Sequence, residues 1–237
     1  MSDSRIAFAL DYSSVAEARE AAHRVAPAIG MIKVGLELFV GAGPAAVGLG
    51  KEVGLPVFLD LKLHDIPETV ERAVAQASSL GVRLVTVHAS GGRTMMKRAV
   101  ARAASEGGSL AICAVTILTS LDGADLADLG LTGDPTAAAV RLARLAFDEG
   151  VRWFVCSPAE VGALREALGK DAVLVTPGVR PAGGAQAAKG DQKRVATPEQ
   201  AIADGADWVV VGRPIRDAAD PLAAARAIAE SISHESS

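Results

Sequence analysis

Apolar residues in this chain gather into eight short runs, each closed by glycine, proline, serine or a charged residue. Runs of this length, rich in valine and isoleucine, read as buried strands. They lie at Ile6–Leu10, Met31–Val34, Val57–Leu61, Leu84–His88, Leu110–Ile117, Trp153–Cys156, Val173–Thr176 and Trp208–Val211. Between them the spacing changes to that of amphipathic helices, for example at Val15–Val25, Pro67–Leu80, Arg93–Ala104, Thr136–Glu149, Pro158–Leu168 and Pro198–Ala203. Several of these open with serine, threonine, aspartate or a first-turn proline. Eight alternating strand and helix units predict an α/β protein, a single (β/α)8 TIM barrel occupying residues 1–237 as one catalytic domain. A doubly wound sheet usually stops at fewer strands.

Composition sharpens this picture. Half of the 237 residues are apolar but only 3% are aromatic, so the core must be built from aliphatic side chains, as buried parallel strands usually are. A net charge of −4, with no Lys/Arg run, excludes a general nucleic-acid or membrane-surface binder, so an anionic ligand would need local help. Cys113 and Cys156 lie in apolar runs without CxxC or metal spacing and are expected to be small core residues of a cytoplasmic protein. The apolar run near the amino terminus is too short for a signal peptide or a membrane span.

The third strand carries charges that a buried strand should not tolerate: Phe58-Leu59-Asp60-Leu61-Lys62-Leu63-His64-Asp65-Ile66-Pro67. Side chains alternate at period two, so Asp60 and Lys62 are expected to share the barrel interior near its carboxyl-terminal mouth, with Leu59 and Leu61 facing the helices. Lys33 in strand two and Asp11 at the close of strand one place further charges at the same end. Lys62, set between Asp60 and Asp65, should hold its proton and act as an acid, because neighbouring carboxylates favour the ammonium. A structural ion pair at the barrel rim is the alternative. His88, closing strand four, is expected to bond neighbouring backbone rather than to take part in chemistry.

Strands seven and eight both run into glycine and arginine, as Thr176-Pro177-Gly178-Val179-Arg180 and Val211-Gly212-Arg213-Pro214. In barrels these two loops commonly cradle phosphate, with glycine admitting backbone N–H groups and arginine adding a bidentate bond. The Gly/Ala-rich segment from Pro181 to Gly190 reads as a lid. Nothing in the chain resembles a GxGxxG fingerprint or a His/Cys ligand cluster, so neither cofactor nor metal is expected.

Asp60-Leu-Lys62-Leu-His-Asp65-Ile-Pro-Glu-Thr69 resembles the DxKxxDIPxT signature of the orotidine 5′-phosphate decarboxylases. The blocks Thr176-Pro-Gly-Val-Arg180, Gly190-Asp-Gln192-Lys-Arg-Val and Val211-Gly-Arg213-Pro-Ile are similar to the later blocks of that family, in its bacterial form, and the likeness spans nearly the whole chain. The resemblance implies decarboxylation of orotidine 5′-phosphate (OMP) to UMP, the last step of pyrimidine nucleotide biosynthesis. It implies that Asp11 and Lys33 contact the ribose side, that Lys62 donates the proton and that Asp60 lies beside the departing carboxylate. Thr119 would bond the pyrimidine, while Arg180, Gln192, Gly212 and Arg213 would hold the phosphate, with Gln186 a competitor for the role of Gln192. Asp65 and Thr69 would reach the neighbouring subunit's site in a homodimer. Relatives that use the same strand-three signature with Mg2+, the 3-hexulose-6-phosphate synthases and 3-keto-L-gulonate-6-phosphate decarboxylases, need an acid on strand two, where this chain has Lys33, although Glu37 follows. A phosphate-binding barrel without catalysis is the remaining alternative.

Overall fold

The structure is a computed structural model in which residues 4–131, 134–181 and 196–233 are described. Its strands are β1 (Ile6–Ala9), β2 (Met31–Gly35), β3 (Val57–Leu63), β4 (Leu84–His88), β5 (Ala111–Val115), β6 (Trp153–Val155), β7 (Val173–Thr176) and β8 (Trp208–Val211). All neighbours pair in parallel, and β8 returns to β1, closing the barrel. The helices are α1 (Val15–Val25), α2 (Leu36–Ala42), α3 (Pro44–Val53), α4 (Pro67–Ser79), α5 (Gly92–Ser105), α6 (Gly123–Asp128), α7 (Pro135–Asp148), α8 (Val161–Leu168), α9 (Pro198–Ala203), α10 (Arg213–Arg216) and α11 (Pro221–Ser233). The (β/α)8 barrel expected from the sequence is therefore the observed fold.

Local chemistry starts several of the helices. The Ser14 hydroxyl accepts from the Glu17 N–H, and the Asp134 carboxylate accepts from the Thr136 and Ala137 N–H groups. Such caps satisfy first-turn donors that have no partner inside the helix. Pro135 and Pro198 occupy first helical positions, where a missing N–H costs nothing. The expected fifth strand is shortened at both ends, and the expected helix at Pro158 begins as a 3-10 turn before α8.

Two cores result from the alternation of strand side chains. Ala7, Ala9, Met31, Phe58, Leu84, Cys113, Val175 and Val210 fill the barrel interior, while the larger aliphatic layer lies between strands and helices. Both cysteines are buried free thiols, in keeping with their expected core role. Trp153 and Trp208, the first residues of β6 and β8, meet at 6.5 Å between ring centroids and close the amino-terminal end. The opposite end therefore carries the polar groups. Among the described residues, no helix is long and apolar enough to cross a membrane.

Candidate active site

A cavity of about 300 Å³ opens at the carboxyl-terminal mouth of the barrel. Asp11, Lys33, Asp60 and Lys62 line one side, and Thr119, Arg180, Gly212 and Arg213 line the rest of its polar surface. Val115, Ile117, Val155, Pro177 and Val210 complete it with an apolar wall. Eight of the residues expected from the sequence thus meet in one place. Gln192 and Gln186, with most of the expected lid, lie outside the described residues. Glu37 lines a separate cleft beyond Asp11 and not this cavity.

The charges form a chain of alternating sign. Lys33 Nζ lies 3.4 Å from Asp11 Oδ1 and 3.8 Å from Asp60 Oδ2, and Lys62 Nζ lies 2.8 Å from the same Asp60 oxygen. Burial by itself would raise the Asp60 carboxyl, but the ammonium groups of Lys33 and Lys62, with hydrogen bonds from Lys62 and Thr86, hold it below the usual carboxylate range. Asp60 thus stays ionised between two cations that its charge keeps in place. Asp60→Asn is expected to lower Tm at pH 7 by about 3–8 °C, because two ammonium groups then face each other without their shared partner. The stabilisation is complete above the unfolded carboxyl's pKa of about 4 and is lost as pH falls through the lower folded value. Melting curves at pH 7 and pH 3 check this; equal Tm at pH 7, or a gap that does not narrow in acid, would contradict it.

Lys62 reaches the mouth by a route that simple alternation does not give. It has φ 52°, the one positive φ outside glycine among the described residues, and the β3–β4 register shifts between Leu59 and Leu63. A left-handed conformation at a residue with a Cβ costs about 1–2 kcal/mol and persists only where neighbours hold it. Thr86, fully buried on β4, does so: its Oγ1 accepts from the Lys62 N–H at 2.7 Å and donates to Asp60 Oδ1 at 3.0 Å. One hydroxyl therefore fixes both members of the Asp60–Lys62 pair. Sequence reasoning missed Thr86, since a threonine inside a strand is an ordinary strand former.

Two other expectations are corrected. Asp65 does not pair with Lys62 within the chain: it is exposed, and its carboxylate accepts from the Ile66 N–H. Thr69, in the first turn of α4, is also exposed and neither residue lines the cavity of its own chain, as the expectation that both serve a neighbouring subunit's site requires. The His88 imidazole packs against His64 at 5.4 Å between centroids instead of bonding backbone. Burial, then His64 and the charge of Lys62, hold His88 below its ordinary pKa.

Backbone geometry explains one of the two glycines on the anion side. Gly178 has φ 81°, which residues with a Cβ rarely adopt. A Cβ on Gly212 would stand in ordinary contact, 3.4 Å from both Ala9 Cβ and Asp11 Oδ2, so the end of β8 lies against the end of β1. Beyond Gly178, the Arg180 N–H donates to Ala196 O at 2.9 Å, drawing together the two sides of the segment that follows β7.

A closed parallel barrel with an alternating charge chain at its mouth, facing two arginine-bearing loops, is the architecture of a barrel enzyme acting on a small anionic substrate. The chain belongs to the family described as orotidine 5′-phosphate decarboxylase / HUMPS, whose profile matches residues 4–228. It is 58% identical over 228 residues to orotidine 5′-phosphate decarboxylase of Anaeromyxobacter sp. (strain K), covering 96% of this chain and 98% of the relative. It is 47% identical to the Nitrosococcus oceani enzyme of the same name, over 99% of this chain and 100% of that one. The crystal structure of orotidine 5′-phosphate decarboxylase from Lactobacillus acidophilus superposes with a TM-score of 0.84 at 34% identity, covering 97% of this chain and 99% of that one.

Proposed function

We propose that this protein decarboxylates OMP to UMP, with Lys62 stabilising the charge that develops at C6 and then protonating it. The observation that carries this reading is the Lys62–Asp60 pair, 2.8 Å apart, in a cavity that also contains Arg180 and Arg213. Membership of the decarboxylase family supports the overall reaction.

The C6–carboxylate bond breaks and leaves an electron pair in the plane of the pyrimidine ring, which the ring cannot delocalise. A fixed ammonium aimed at that position stabilises it without reorganisation, in a site with a low-dielectric wall. The same group then transfers its proton to C6, CO2 departs, and Lys62 regains a proton from solvent. Asp60, 2.8 Å from Lys62 Nζ, holds Lys62 oriented. Asp11 and Lys33 take the ribose hydroxyls, Thr119 takes the pyrimidine, and Gly212, Arg213 and Arg180 take the phosphate, with Gln192 joining them. The apolar wall of Ile117, Val155 and Pro177 suits a flat ring. Lys33 sits between Asp11 and Asp60, where its charge disfavours a divalent cation.

The test is conversion of OMP to UMP, followed by ultraviolet absorbance with EDTA present. Rapid conversion supports the reading, and none by well-folded protein would sink it.

The working form is proposed to be a homodimer in which Asp65 and Thr69 complete the partner's site. Ile66, between them and 66% exposed, supports this, as do exposed Leu36 and Val40 after the adjacent strand. Ile66→Glu is expected to give a monomer by light scattering and to lower kcat about tenfold, as each Lys62 loses a second carboxylate. A fully active monomer would refute it.

A further inference from the structure

The loop that carries Gly212 and Arg213 is tied to the end of β1 by a residue outside the mouth cavity. Arg216, the last residue of α10, donates from Nη1 to the backbone carbonyl of Asp11 at 3.0 Å. Asp217 holds the other side of the same guanidinium, with Oδ1 2.6 Å from Nε and Oδ2 3.2 Å from Nη2. This fork leaves one edge of the planar group aimed at Asp11. The α10 turn is rigidly joined to the anion loop, because the Arg216 N–H donates to Gly212 O and the Asp217 N–H to Arg213 O, both at 2.9 Å. On the other side, the Leu10 N–H donates to Lys33 O, and the Asp11 carboxylate pairs with Lys33. A continuous set of bonds thus runs from Gly212 and Arg213 through Arg216 to Asp11, Lys33 and Asp60.

We propose that Arg216 is a positioning residue, a clasp that transmits phosphate binding at Gly212 and Arg213 to the placement of Asp11 and, through Lys33, of the Asp60–Lys62 pair. The proposal rests on the OMP decarboxylase reading and deepens it. Arg216 need not touch substrate. Binding energy at the phosphate reaches the reacting end of the site through a stiff connection, and the Arg216 bond adds one beyond the β1–β8 pairing that ends at Phe8 and Val211.

The experiment compares kcat and KM of wild type, Arg216→Gln, Arg216→Lys and Asp217→Asn on OMP and on orotidine, its phosphate-free nucleoside. Arg216→Gln is expected to lower kcat on OMP about tenfold with KM changed less than about threefold. Its loss in kcat/KM on orotidine should be at least about fivefold smaller, since no phosphate signal exists to transmit. Arg216→Lys, which keeps a donor for the Asp11 carbonyl, should recover about a third of the lost turnover or more. Should circular dichroism find Arg216→Gln misfolded, Asp217→Asn carries the comparison with the same pattern at about threefold. Equal losses on both substrates would reduce Arg216 to a structural prop, and an unchanged kcat on OMP would remove it altogether. Failure of folded wild type to convert OMP would instead overturn the underlying reading.

Discussion

Lys62→Ala is expected to lower kcat for OMP by at least about 10⁴-fold, with the protein still folded. Removing a preorganised charge from a reacting centre typically costs about 10²–10³-fold, and removing a positioned general acid about 10²–10⁴-fold. Lys62 is assigned both tasks, so the two losses compound. The fold should survive for three reasons. Asp60 keeps Lys33 within 3.8 Å, the Thr86 hydroxyl still receives the backbone N–H of residue 62, and alanine meets the same φ of 52° that lysine already accepts. Matching circular dichroism spectra with turnover reduced to that extent, by absorbance at saturating OMP, would fit the assignment. A variant within tenfold of wild type would move the proton donor elsewhere.

The barrel was legible because its strands are buried on both faces and so appear as unbroken apolar runs. Lys33, Asp60 and Lys62 were legible for the complementary reason, since an ionised side chain inside such a run is costly without a partner. What escaped depends on contacts far apart in the chain. The bulge at Lys62 carries no glycine or proline to announce it and is held by Thr86 on the next strand. Arg216 meets the carbonyl of Asp11 across the closure of β8 onto β1, a contact that no local spacing encodes. The helix α3 contains Gly48 and Gly50, which ordinarily weaken helices. Gly50 is required by the close approach of Val57, since a Cβ there would stand 2.2 Å from Val57 Cγ2. Counting along the strand sets Asp65 beside Lys62, whereas the turn after β3 carries it outward to solvent.

The same separation of local from distant effects sets the expectation for Arg213→Ala. Arg213 lines the mouth cavity beside Gly212, and in the proposed complex it grips a phosphate far from C6. If that grip only added affinity, its loss would raise KM and leave kcat alone. The bonds from Gly212 and Arg213 through Arg216 to Asp11 argue otherwise, because a phosphate held by Arg213 pulls on the element that fixes the charge chain. Arg213→Ala is therefore expected to reduce kcat/KM for OMP by about 10³-fold, with kcat itself falling at least about tenfold. Orotidine, which offers no phosphate, should be converted by the variant nearly as well as by wild type, so the preference for the nucleotide should collapse. Steady-state kinetics on both substrates decide the matter. A change confined to KM would mean that phosphate binding and catalysis are uncoupled, and the clasp at Arg216 would then have nothing to transmit.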